Sequence, residues 1–121
     1  MVHERQQLGA EGERAAERFL RRQHYAIVVR NYRCRAGEID LVALDGSTVV
    51  FVEVKTRAQA GCGSPLEAVD SRKQRQIQRA AQVYLRDKRL LDRDARFDVV
   101  GVWQQDGGLR CELVKNAFEM R

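Results

Sequence analysis

The chain reads as an α/β protein, a mixed β-sheet flanked by helices with element order αβββαββ. Three observations predict this. Two stretches carry apolar residues at helical spacing, five shorter ones are rich in aromatic and β-branched residues, and Asp-Gly pairs separate strand-like runs where tight turns would fall.

Residues 8–23 place Leu8, Ala15, Ala16, Phe19 and Leu20 at helical spacing among Glu and Arg. Gly9 and Gly12 weaken the first turn, so regular helix is expected from near Glu13. Residues 25–33 favour a strand. Residues 38–44 and 48–55 flank Asp45-Gly46, a pair suited to the positive φ angles of a hairpin turn. Residues 57–64 contain Gly61 and Gly63 without periodicity and read as a loop, after which Pro65 fits a first helical position. Residues 66–85 then put Leu66, Val69, Ile77, Ala80, Ala81, Tyr84 and Leu85 on a buried stripe, opposite Arg72, Lys73, Arg75, Arg79 and Arg86. Residues 97–103 and 109–114 are the last strands, turned by Asp106-Gly107-Gly108. A strand, a long helix and a strand form a right-handed parallel crossover, which makes the sheet mixed.

A length of 121 residues fits one domain spanning 1–121. A hydrophobic fraction of 44% with one Pro argues for a folded chain, and 32% charged residues for a solvated surface. The net charge of +5 suits a polyanion, although ordinary solubility accounts for it equally well. Cys34, Cys62 and Cys111 are odd in number and widely spaced, offering neither a disulfide framework nor a paired metal motif, so a reducing cytoplasm is expected. The first residues lack an apolar stretch like a signal peptide or membrane span, so neither export nor a membrane is expected.

The hairpin carries the chemistry. A two-residue turn at Asp45-Gly46 sets Leu41 opposite Val50 and Ile39 opposite Val52, giving one apolar face completed by Ala43 and Val54. The same register places Asp40 opposite Phe51 and diagonal to Glu53, Glu38 opposite Glu53, and Lys55 one step further on that face. Diagonal neighbours lie roughly 7–8 Å apart, within reach of a shared cation. Opposed acids repel unless compensated, and Mg²⁺ or Mn²⁺, which take oxygen ligands, would compensate them. Lys55 would then stand beside the metal, placed to stabilise developing phosphorane charge or to orient water. The plainer alternative is a solvated strand face in which Lys55 pairs with Glu53 or Glu38.

Asp40 followed after a hairpin by Glu53-Val54-Lys55 resembles the PD-(D/E)XK signature of the restriction-endonuclease-like nucleases, with Ile39 in place of the nominal proline. Together with Gly9-x-x-Gly12-Glu13, Arg30-Asn31-Tyr32-Arg33, Gly37-Glu38-Ile39-Asp40-Leu41 and Val52-Glu53-Val54-Lys55-Thr56-Arg57, the chain looks like the YraN family of bacterial proteins, predicted nucleases related to archaeal Holliday junction resolvases. The resemblance spans nearly the whole chain and implies a restriction-endonuclease-like core. It implies metal binding by Asp40, Glu53 and the first-helix Glu13, hydrolysis assisted by Lys55, and Glu38 as a supporting neighbour. By analogy with resolvases it also points to a homodimer.

Arg57, Arg72, Lys73, Arg75 and Arg79 are the candidate phosphate contacts, Lys73 foremost because it sits early in its helix near the active edge; a solvated helix face is the alternative. His3 and His24 lack a ligand pattern, Gly61 and Gly63 do not form a P-loop, and Trp103 and Tyr84 fall within apolar patterns that favour the core. The expectation is a metal-dependent DNA endonuclease, with branched or flapped forms as candidate substrates. A non-catalytic nucleic-acid-binding module of the same fold and a protein-interaction domain are the alternatives.

Overall fold

The computed structural model describes residues 2–57 and 63–119, with side chains from Leu8 onward; Gly61, Cys62 and the side chain of His3 lie outside this range. Helix α1 (Val2–Arg22) is followed by strands β1 (Ala26–Cys34), β2 (Gly37–Asp45) and β3 (Thr48–Arg57). A 3₁₀ turn (Pro65–Ala68) leads into helix α2 (Ser71–Asp87), then β4 (Ala95–Gln105) and β5 (Gly108–Phe118). The order is αβββαββ, as the periodicities predict. The strands form one five-stranded sheet in sequential order, antiparallel except for β3 and β4, which the α2 crossover makes parallel.

Both faces of the sheet are covered. Ala15, Ala16 and Leu20 of α1 pack on Leu41, Ala43, Val50, Val52, Val100 and Val102. On the other side Ile77, Ala80, Ala81, Tyr84 and Leu85 of α2 pack on Val42, Val49, Phe51, Phe97 and Val99. This corrects the expectation of one polar hairpin face, since Val49 and Phe51 lie beneath a helix. The hairpin acids Asp40 and Glu53 are therefore left where the pairing of β2 with β3 stops, beyond Leu41 and Val52. Tyr84 is core, edge-on to Tyr32 and Phe51, whereas Trp103 is only half-buried and donates its indole N–H to Gln105 at 3.0 Å. Among the described residues no helix is long and apolar enough to cross a membrane.

Several features differ from expectation. Helix α1 starts well before Glu13, because Gly12 is buried where the helix meets β3 and its propensity cost of about 1 kcal/mol is outweighed. The second helix is broken in two, with Asp70 capping α2 by accepting the Lys73 N–H at 2.8 Å. The hairpin turn is Gly46-Ser47, not Asp45-Gly46: Asp45 pairs with Thr48 and Gly46 takes φ 62°. Asp45 stays in the strand because its carboxylate accepts from Arg96 of β4 at 2.7 Å. The pairing consequently shifts by two residues, setting Leu41 opposite Val52 and Ala43 opposite Val50. Finally, Ile39 and Leu41 pack on opposite sides of the sheet, so the even alternation expected of β2 breaks at Asp40. The neighbouring strand bends at the same level, where Asn31 has φ 51° between the Arg30–Leu41 and Tyr32–Ile39 pairs.

A buried polar knot holds the far end of the sheet. Asp98 accepts from the Tyr25 hydroxyl at 2.7 Å, from Arg96 at 3.1 Å and from the Asn116 N–H at 2.9 Å, fixing the β5 bulge. Burial, then the Asp98 carboxylate, pushes the Tyr25 hydroxyl well above its ordinary range.

Candidate active site

Where β2 and β3 cease to pair, the next step along the ladder brings Asp40 level with Glu53. Here Asp40 Oδ2 accepts the Val54 N–H at 2.8 Å, a side chain taking over from the missing backbone partner. The register shift therefore brings Asp40 from a diagonal position to one directly beside Glu53.

Glu53 is 5% exposed. Its Oε2 lies 3.7 Å from Lys55 Nζ and 3.8 Å from Lys73 Nζ. Burial, and next the charge and hydrogen bonding of Asp40, push its carboxyl up to about 8, while Lys73 and Lys55 pull the other way. Glu13 feels the same surroundings, its carboxyl raised by burial and then by Asp40. The acids thus form a pair, Asp40 with Glu53, flanked by Glu13 through Asp40. Among the described residues no three His, Cys, Asp or Glu side chains stand close enough together to enclose a metal ion.

Two close approaches bring in the helices. A Cβ on Gly12 would stand 2.1 Å from Thr56 Oγ1, so only glycine lets α1 lie against the end of β3 and border Asp40 with Glu13. A Cβ on Gly37 would stand 2.5 Å from Gln76 Cγ, so α2 rests directly on the start of β2, one helical turn from Lys73. Asp70, at the α2 N-cap, holds the Lys73 backbone. Reading residues 66–85 as one helix misses its role, although an Asp before a polar helical run is a recognisable start signal.

The remaining candidates divide. Lys55, Arg72 and Lys73, with Asp70 and Gln76, line a cavity of about 280 Å³ beside the acids. Arg75 and Arg79 instead line a separate cavity of about 310 Å³ with Ser71, Gln74 and Gln78. Arg57 ends β3 two residues beyond Lys55. Glu38 is turned away: it is exposed and pairs with Arg33 of β1 at 3.0 Å, which removes it from the position opposite Glu53 that the expected register implied. His24 caps the end of α1 with φ 70° and is exposed.

Residues 12–102 match the model of the uncharacterised protein family UPF0102. The chain belongs to this family. UPF0102 relatives include a protein of Geotalea uraniireducens, 51% identical over 93% of this chain and 90% of its own length. Another, from Desulfosudis oleivorans, is 50% identical over 98% of this chain and 95% of its own. A third, from Symbiobacterium thermophilum, is 50% identical over 92% and 95% respectively. The UPF0102 match agrees with the YraN resemblance drawn from the motifs, and begins at Gly12, the residue that seats Glu13 beside the acids.

Proposed function

We propose that the chain is a metal-dependent endonuclease that hydrolyses phosphodiester bonds in DNA, with branched or flapped forms as its substrates. The observation that carries this reading is a buried carboxyl, Glu53, beside Asp40 and between two lysines from different elements. An ionisable group so buried, with an acid against it, is the kind of arrangement found at reactive sites. The spacing of Asp40 and Glu53-Val54-Lys55, matching the restriction-endonuclease-like signature, supports it.

The donor set suits Mg²⁺ or Mn²⁺, hard ions that bind carboxylate oxygens and need only one or two from the protein. Asp40 and Glu53 would hold the ion, with Glu13 beside them. Such an ion would supply Lewis acidity at the phosphate and acidify a coordinated water. Asp40 is preorganised for the task, because the Val54 N–H fixes one of its carboxylate oxygens. Glu53 would have to give up its proton to ligate, so metal uptake would be coupled to proton release near neutral pH. With Glu53 engaged by the ion, Lys55 would turn its ammonium group to the phosphate under attack, where charge gathers, and Lys73 would hold the DNA by a phosphate oxygen. Arg72 lines the same cavity and would grip a neighbouring phosphate, with Arg57 further along β3.

The test is cleavage of linear, flapped and four-way DNA with Mg²⁺ or Mn²⁺, against Asp40→Ala, Glu53→Ala and Lys55→Ala. All three substitutions abolish cutting if the reading holds. Activity that survives either acid substitution overturns it. A non-catalytic DNA-binding module is the second reading, favoured by the lack of a three-ligand cluster among the described residues. Calorimetric titration with Mn²⁺ separates the two, since the second predicts no binding.

A further inference from the structure

Helix α1 has two unlike flanks. One carries Glu13 and Glu17, and Glu17 binds Arg21 and Arg30. The other faces β5 across a groove of about 460 Å³ lined by Arg18, Phe19 and Arg22 of α1 and by Leu109, Arg110 and Cys111 of β5. Among the described residues, Arg18, Arg22 and Arg110 take part in no ion pair or side-chain hydrogen bond, unlike Arg21, Arg30, Arg33, Arg86 and Arg96. None of the three is paired with an acid among the described residues. Arg22 and Arg18 also lie close enough to the Cys111 thiol to oppose the rise in its pKa that burial causes.

We infer that this groove is a second phosphate site, which takes the DNA backbone away from the bond being cut. Three observations carry it. Arg18 and Arg22 present their charge to one concave surface beside Cys111 instead of scattering over a helix face. Arg18 and Arg22 are one turn apart, a rise of about 6 Å, so their guanidinium groups can engage neighbouring phosphates of one strand. The groove also opens toward the end of the sheet that holds the acids: Arg57 pairs with Trp103, and Trp103 with Arg110. That row places Arg110 two strand spacings, about 10 Å, from the β3 end. One DNA molecule can therefore reach both places.

The inference depends on the nuclease reading for its ligand, and the experiment separates the two. It uses the full chain without divalent metal, so that nothing is cut. Alkylation of Cys111 is followed by mass spectrometry with and without a saturating short duplex, and binding is measured by fluorescence anisotropy over a range of salt. DNA slows Cys111 alkylation several-fold. Arg18→Gln with Arg22→Gln removes this protection and makes the slope of log affinity against log salt shallower by roughly 1.8, the value for two lost phosphate contacts. Arg18→Lys with Arg22→Lys retains most of the slope, which excludes a folding defect. Absence of DNA binding, unprotected Cys111 in saturated complex, a slope indifferent to the Gln pair, or protection by inorganic phosphate with none from DNA overturns the site. A protein that shows the protection but cuts nothing under Mg²⁺ loses the nuclease reading alone.

Discussion

Replacing Glu53 by Gln keeps the shape of the side chain and removes its ionisation, and this should stabilise the metal-free protein while abolishing its activity. In the folded chain, burial and Asp40 raise the carboxyl from its ordinary 4.5 to about 8. Between these values the native state holds a proton that the unfolded chain has lost. The stability associated with this group is therefore complete below about pH 4.5 and declines as the pH rises toward 8. Each pH unit in that window costs about 1.4 kcal/mol, so the loss at pH 7 is about 3 kcal/mol. Against a typical domain stability of about 5–15 kcal/mol that is a large share. The Glu53→Gln variant escapes this loss, and its amide can donate to Asp40 as the protonated carboxyl does. Urea unfolding with a chelator at pH 5, 6, 7 and 8 is the assay. The advantage of Glu53→Gln should widen from under about 1 kcal/mol at pH 5 to about 3 kcal/mol at pH 7. Parallel pH profiles, or a wild type that gains on the variant as the pH rises, would refute the account of Glu53.

Asp40→Asn keeps an acceptor for the Val54 N–H but removes the charge that raises Glu53 and Glu13; it should fold, flatten the pH dependence of stability and lose Mn²⁺ binding by calorimetry. Gly12→Ala forces a Cβ to within 2.1 Å of Thr56 Oγ1. It should destabilise by about 1–3 kcal/mol and weaken cleavage, and adding Thr56→Ala should recover much of both in urea titrations and cleavage assays. Asp98→Ala strips Tyr25, Arg96 and Asn116 of a shared buried acceptor; chemical denaturation should show a loss of about 3 kcal/mol or more. Lys73→Gln should raise KM for DNA more than it lowers kcat, whereas Lys55→Gln should do the reverse, read from steady-state cleavage.

Element order was legible from residues a few positions apart. Apolar spacing marks α1 and α2, β-branched runs mark the strands, and Asp106-Gly107 forms the last turn with φ 51° and 77°. The grouping of Asp40, Glu53 and Lys55 was legible too, even though the expected register was wrong. Side chains alternate with a period of two, so a slip of two residues leaves Asp40 and Glu53 on a common side while changing who faces whom. What moved the register lies far away in sequence: Arg96 holds Asp45 in the strand and displaces the turn to Gly46-Ser47. Only the tertiary structure could release Glu38 to Arg33 and set Asp40 beside Glu53. Likewise, only the seating of α1 on Thr56 and of α2 on Gly37 carries Glu13 and Lys73 to that pair. Local periodicity determines which residues can share a face. The burial that raises Glu53 depends on how separate elements close around it, and that is a property of the packed whole.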